Sequence, residues 1–316
     1  MSVAVPATRT IPKRRRGIRG VLREMRREWT AYLFNAPVLI LFAIFTVYAV
    51  SAAFYLSFHE WDVLQPKKPY VGLANYRAVF HDGAFWSSLL HTVYFTFGFM
   101  IPAMVIGLGL AMLLNSKIRA VGLFRTAYYL PAVTPLVIAS LIWKWVYNGD
   151  YGLANYYLQK LHLISHPINW LGSTVFAMPA VIVMNIWLSV GFCMIVYLAG
   201  LQAIPAELYE AAEVDGASPW QKFRRITLPL IAPTTFFLLV IQTILGMQTF
   251  DQIFVMTGGG PPGPGGATTT VNYYIWLNAF HYFRMGYASA MAWVLFALLF
   301  VVSFLQFRFY MKQVER

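Results

Sequence analysis

Glu210-Ala211-Ala212-Glu213-Val214-Asp215-Gly216-Ala217, followed by Ser218-Pro219-Trp220-Gln221 and closed by Ile226-Thr227-Leu228-Pro229, is a polar island in a mostly apolar chain. It lies within 201–229, between two long apolar runs. The segment is too hydrophilic to cross a bilayer and too patterned for a plain linker. Its residues spell two short helices with a sharp corner. Pro205 suits a first helical turn, where its missing N–H would have no partner. Glu207 sits favourably near the positive helix start. Gly216 reaches the left-handed conformation that ends a helix. Ser218, Pro219 and Gln221 then supply an N-cap, a first-turn proline and the far half of a capping box. Pro229 is expected to stop the second helix before the next apolar run. Ala211 and Ala212 are small enough for a partner to approach closely, while Glu207 and Glu210 offer carboxylates. A solvated connector with ordinary caps is the plain alternative. If the loop lies in the cytoplasm, it is a docking surface for something the chain itself lacks.

The rest of the chain sets that loop in a membrane. Of 316 residues, 59% are hydrophobic and 11% charged, against about 25% charged in an ordinary soluble domain. Mean hydropathy is +0.59. Six apolar runs, at roughly 33–57, 88–114, 127–147, 174–200, 230–256 and 287–309, each meet the need for about 20 apolar residues to cross the hydrocarbon core. The fifth is the weakest, interrupted by Gln242, Gln248, Asp251 and Gln252. The expected fold is an all-α integral membrane protein of six transmembrane helices. Its parts are a basic arm over 1–32, a first helix over 33–57, an external segment over 58–87, a five-helix core over 88–309 carrying the 201–229 loop, and a tail over 310–316.

Orientation follows from Lys and Arg counted by loop. Eighteen of the 24 fall in the N-terminal arm, the second-to-third connection, the fourth-to-fifth connection and the C-terminus. Both termini are therefore expected in the cytoplasm. The net charge of +12 raises the question of nucleic acid. Half of the cytoplasmic excess, however, precedes the first span, where anionic lipid is the natural partner. No short apolar region with a small-residue cleavage site follows the basic run, so the first span is expected to remain as an anchor. Cys193 lies inside the fourth span and supports no disulfide.

The run Gly258 to Gly266 invites a phosphate-loop reading, but no Gly-Lys-Ser/Thr follows it and no nucleotide-binding strand precedes it. A mobile external loop is the simpler expectation. His59, His81, His91, His162, His166 and His281 are scattered and show no metal-ligand spacing, so neither a metal site nor a membrane-embedded enzyme is expected. An ion-coupled secondary carrier is the competing class, but its usual internal repeat and central buried charge are missing.

The run Glu-Ala-Ala-x-x-Asp-Gly-Ala, with Phe223, Ile226, Leu228, Pro229 and Pro233 at their spacings, resembles the cytoplasmic signature of permease subunits of binding-protein-dependent ABC importers. Gly72-Leu73-Ala74-Asn75-Tyr76, the stretch Arg125 to Pro131, and Phe250-Asp251 through Gly258-Gly259-Gly260-Pro261 are similar to the carbohydrate branch, of the maltose-permease and glycerol-phosphate-permease kind. The large external domain and two extra N-terminal helices of some maltose permeases are missing. The resemblance implies the type I ABC importer permease core. It also implies a heterodimer with a second permease subunit, two ABC ATPase subunits that bind ATP and Mg, and an extracytoplasmic solute-binding protein. No cofactor is implied in this chain itself. Glu207, Glu210, Ala211, Ala212, Asp215, Gly216 and Ala217 would seat in an ATPase cleft.

For the solute, Gln242, Leu245, Gly246 and Thr249 share a helical face at i, i+3, i+4 and i+7. Asn185, Ser189 and Phe192 do so in the fourth span, with Trp187 and Leu188 beside them. The sugar-contacting positions of maltose-type permeases align with Leu188, Ser189, Phe192, Gln242, Leu245, Gly246 and Thr249. Interhelical packing is the alternative for each, since small and hydroxylated residues are frequent at transmembrane contacts. Asp251 is expected to pair with Lys144 or a partner subunit, and Trp143 and Trp145 to anchor at an interface. The proposed face carries no Lys or Arg, which favours a neutral sugar. A disaccharide, a longer oligosaccharide, a polyol and glycerol 3-phosphate all fit this branch.

Overall fold

A computed structural model describes residues 29–62, 66–116, 120–258 and 264–314. The basic arm before residue 29 and the middle of the glycine-rich run lie outside them. The chain divides into a unit ending at Tyr55 and a larger unit beginning at Leu56. Helix α1 runs over Trp29–Phe42, widens to a π-helix over Ala43–Tyr48 and continues over Ala49–Ser57, so all but its last two residues belong to the first unit.

In the larger unit, α2 (Ala74–His81) precedes α3 (Gly83–Leu114). Then come α4 (Val121–Val133), α5 (Leu136–Val146), α6 (Leu153–Lys160) and α7 (Ala177–Gln202). The polar loop holds α8 (Ala206–Val214) and α9 (Pro219–Leu230). Beyond it are α10 (Ala232–Met247), α11 (Asp251–Thr257), α12 (Val271–Trp276, with a π-helix over Leu277–His281) and α13 (Met285–Val314). Among the described residues four helices, α1, α3, α7 and α13, are long and apolar enough to span on their own, and the number rises to six if each of two bent pairs is one span.

The bends have identifiable causes. Between α4 and α5 the axis turns by 96°. Proline at 135 crowds the preceding residue out of the helical region, and Thr134 is extended at ψ 129°. Between α9 and α10 the turn is 61°. Pro233 has no N–H to give and would press on the carbonyl of Pro229 in a straight helix. The second helix of the loop therefore runs through Pro229 to Leu230, and the break comes at Ile231 rather than at Pro229. The fifth span also differs from the continuous run over 230–256. It stops at Met247, because Gln248 and Phe250 leave helical geometry (φ −96°, ψ 11° and φ −146°, ψ −58°) before α11 begins.

Helices α3 and α7 form the centre, with Phe95, Phe99, Met184, Cys193 and Met194 essentially excluded from the surface. Lipid tails are as apolar as these side chains, so cohesion between spans comes from packing and interhelical hydrogen bonds. The buried hydroxyls of α3 are satisfied within that helix: Thr92 donates to the carbonyl of Ser88 and Thr96 to that of Thr92. The hydroxyl of Thr92 also accepts from the N–H of Val271 at 2.9 Å, which serves an otherwise unpaired donor at the start of α12. The Gly72–Tyr76 motif acts in the same way. Asn75 donates to the carbonyls of Ser57 and His59, and the hydroxyls of Tyr76 and Ser57 pair at 2.8 Å.

Candidate functional site

The polar loop is a built corner. Its first helix is capped at Pro205, which stands just before the first turn. At the other end, Ala217 N–H donates to Ala212 and Gly216 N–H to Glu213. These two bonds make the six-to-one closure of a left-handed C-terminal cap. Gly216 lies at φ +72°, a conformation that disfavours any side chain. Ser218 and Gln221 complete the capping box in both directions, at 3.3 and 2.7 Å.

Two cross-links then set the angle between α8 and α9. Lys222 Nζ lies 2.6 Å from Glu213 Oε1, and the hydroxyls of Tyr209 and Thr227 meet at 2.9 Å. The hydrogen bond and charge of Lys222 hold the Glu213 carboxyl below its ordinary range. These four residues were not among those singled out from sequence. Opposite charges either side of a Gly corner were the available signal. Of the residues that were, Glu207, Glu210, Ala211, Asp215 and Gly216 are exposed, and Ala212 and Ala217 are half-buried. Val214 is 90% exposed and Trp220 65%.

The second constellation is a cavity of about 360 Å³ at the break between α10 and α11. Leu188, Ser189, Gln242, Leu245 and Thr249 line it, together with Asn185, Phe250 and Gln252. Phe192 and Gly246 lie elsewhere. Phe192 packs against the α3/α7 core. Gly246 is a packing position, for a Cβ there would stand 2.7 Å from Thr96 and 2.8 Å from Phe99. Thr249 reaches the cavity from the non-helical turn, so the helical face expected through i+7 ends at Gly246. Sequence periodicity passed over Gln252 because it assumed one continuous helix.

The polar groups of this cavity are unevenly satisfied. Gln242 is 2% exposed and donates to Cys193 Sγ at 3.1 Å. Gln252 Nε2 points at Asn185 Oδ1 across 3.4 Å. Gln252 Oε1 and Thr249 Oγ1 are buried with no partner among the described residues. Leaving such a group unpaired costs about 1–3 kcal/mol. One acceptor and one hydroxyl are thus unpaired in two residues lining one cavity, which suits a ligand that can both give and take hydrogen bonds. Asp251 also lines the cavity, but Lys144 does not pair with it: Nζ of Lys144 donates to the carbonyl of Val255 at 3.3 Å. Trp143 packs with the rings of Tyr147 and Trp187, whereas Trp145 is exposed. No cluster of metal-ligating side chains occurs among the described residues.

Known proteins share this architecture. A family model described as the binding-protein-dependent transport system inner membrane component matches residues 78–313. The trehalose/maltose transport system permease protein MalF of Thermococcus litoralis is 38% identical, over 86% of this chain and 90% of its own length. The sulfoquinovosyl glycerol transport system permease protein SmoG of Agrobacterium fabrum is 39% identical, over 85% and 86%. Among solved structures, a chain of a bacterial ABC transporter involved in the import of the acidic polysaccharide alginate superposes with a TM-score of 0.79. That match is at 25% identity and covers 92% of this chain and 98% of that one. With a family match over residues 78–313 and relatives 38% and 39% identical over most of both chains, the chain belongs to the binding-protein-dependent transport system inner membrane components, as a multi-pass permease subunit of type I ABC importer fold and not itself an enzyme.

Proposed function

We propose that the chain conducts a sugar or sugar-like solute into the cell as one half of a permease heterodimer. Two ABC ATPase subunits bind ATP and Mg in the cytoplasm, and an extracytoplasmic solute-binding protein delivers the solute. Both termini are cytoplasmic, as the loop distribution of Lys and Arg favours. The chain holds no cofactor of its own.

The observation that carries the reading is the pairing of two sites in one chain. A rigid polar corner with exposed Glu207, Glu210 and Val214 provides a handle for a motor. A cavity with unpaired hydrogen-bonding groups and no Lys or Arg in its lining provides a place for a neutral polyhydroxylated solute. ATPase closure would pull on α8 and α9. The bend at Ile231 passes that displacement into α10, whose far end carries Gln242 and, past the break, Thr249. Relatives named for trehalose/maltose, arabinooligosaccharide and lactose transport support the sugar assignment.

The test is uptake into proteoliposomes holding the complete importer and its binding protein. Accumulation of labelled maltose, trehalose or lactose is expected only with ATP on the ATPase side. Uptake driven by a proton or sodium gradient without ATP would overturn the reading in favour of a secondary carrier.

A further inference from the structure

A second cavity of the larger unit, of about 760 Å³, lies apart from the one at the break between α10 and α11. It opens at the end of the bundle where α13 begins. The opposite end of α13 lies beside the start of α10 and the polar loop, for Phe236 stacks on Tyr310 at 4.2 Å. A helix of 30 residues separates the two ends by about 45 Å. The proposed topology places this cleft outside the cell.

Its walls are of two kinds. Tyr282 and Tyr287 stand at one side and Trp61 at the other, and Tyr282 is 52% exposed. One face of Trp61 is already taken, because Lys68 Nζ lies 3.9 Å above it. Tyr282, which meets the ring of His281 edge-on at 5.1 Å, is the exposed aromatic residue of this wall. The polar wall is made of planar groups: Glu60, Asp62 and Asp82 against the guanidinium of Arg284.

The walls are also held in place. Asp62 and Arg284 are joined by an antiparallel backbone bridge, and Met285 N–H donates to the carbonyl of Trp61 at 3.0 Å. Asp82 accepts from Tyr274 and Tyr287 at 2.8 and 2.5 Å and from the N–H of Ala84 at 2.8 Å. Each phenol spends its proton on Asp82 and keeps lone pairs for a further donor.

We propose that this cleft is a second saccharide site, distinct from the membrane cavity, and that it selects neutral over acidic chains. The carboxylate of Glu60 and the guanidinium of Arg284 present planar groups to neighbouring hydroxyls of a sugar ring, and the exposed face of Tyr282 covers its apolar C–H surface. Three carboxylates outnumber Arg284 and the nearby Lys68, so a polyanionic saccharide is repelled. The volume suits a ligand of one to three sugar rings, within the usual range of about 300–1,000 Å³. The assignment rests on the reading of the chain as a sugar permease subunit.

The experiment uses the complete importer in nanodiscs without its binding protein. Saturation-transfer NMR is recorded with maltotriose, trehalose and lactose as neutral probes and with trigalacturonate as the acidic one. Transfer to at least one neutral probe is expected, and none to trigalacturonate. Tyr282→Ala and Glu60→Gln, both at exposed positions, should weaken neutral binding about tenfold, whereas Leu163→Ala, exposed and outside both cavities, should preserve it. The proposal is overturned if no neutral probe shows transfer, if trigalacturonate binds as well, or if transfer ignores Tyr282→Ala and Glu60→Gln. Sugar uptake that persists with those results would sink the cleft alone and leave the proposed function standing. Loss of ATP-driven sugar uptake by the wild-type importer with its binding protein would remove both.

Discussion

Lys222 reaches back across the Gly216 corner to within 2.6 Å of Glu213, joining the second helix of the polar loop to the last turn of the first. The bond has a mechanical meaning. A loop that must transmit force between a motor and a membrane helix has to resist changes in its own angle. The Tyr209–Thr227 pair at 2.9 Å braces the same angle from the membrane side. Force applied to α8 therefore moves α9 with it.

That brace predicts a pattern of rescue. Glu213→Lys or Lys222→Glu alone should reduce ATP-coupled uptake, while the double exchange restores most of it. Both helices are solvent-facing, so the single effects should be modest and should shrink further at high salt. Because the folded pKa of Glu213 is depressed, the brace is present above the ordinary carboxylate value of 4.5 and is lost only as pH falls through the lower folded value. Coupling measured between pH 6 and 8, about the working range, should be flat with respect to this pair. A steep loss there in wild type, abolished by the double exchange, would contradict it.

Gly216→Pro should be far more damaging than Gly216→Ala. Alanine at φ +72° costs about 1–2 kcal/mol. Proline cannot adopt that angle, removes the N–H that bonds Glu213, and crowds Asp215 out of its helical conformation. Co-purification of the ATPase subunits with tagged permease is expected to fall sharply for proline and slightly for alanine, with protease-protected spans unchanged in both. Equal recovery of ATPase from both variants would argue that the corner is not the docking element.

Thr249→Val separates a solute group from a packing group. The hydroxyl has no partner among the described residues, so its removal should leave thermal stability unchanged or raise it by about 1 kcal/mol. Uptake should nonetheless fall about tenfold, the value of one good hydrogen bond to a bound solute. Unchanged uptake at unchanged stability would reduce Thr249 to a lining residue without a role.

Asp82 makes the pH dependence at the opposite end of the bundle. Burial alone would raise its pKa, but hydrogen bonds from Tyr287, Tyr274 and the N–H groups of Ala84 and Phe85 outweigh it and hold the carboxyl below its ordinary value of 3.8. The stabilisation is therefore present above that ordinary value and disappears as pH falls through the folded one. Asp82→Asn should lower the melting temperature at pH 7 by about 2 °C or more. The gap should narrow as the pH approaches about 3, below the usual carboxylate range. A constant difference across that range would mean that the carboxylate charge is not what the two tyrosines recognise.

Six apolar runs, and the Gly216 and Ser218–Gln221 caps of the polar corner, could be read from residue order, whereas the stop expected at Pro229 could not. Each depends on neighbours within one or two turns: Ser218 needs only Gln221, and Gly216 needs only the freedom of having no Cβ. The family resemblance rested on the same short-range spacings. The membrane cavity could be read only in part, because helical periodicity carries no information past the point where a helix ends. Continuity through Gln248 and Phe250 makes Gln252 read only as an interruption of the span, and the close approach of Gly246 to Thr96 and Phe99 is visible only in the packed helices. The Lys222–Glu213 brace, the unpaired Thr249 hydroxyl and the Asp82 junction of Tyr274 and Tyr287 belong to the tertiary structure alone. They join groups from 9 to 205 positions apart, or record a partner that is missing, and only packing in three dimensions settles which polar groups meet.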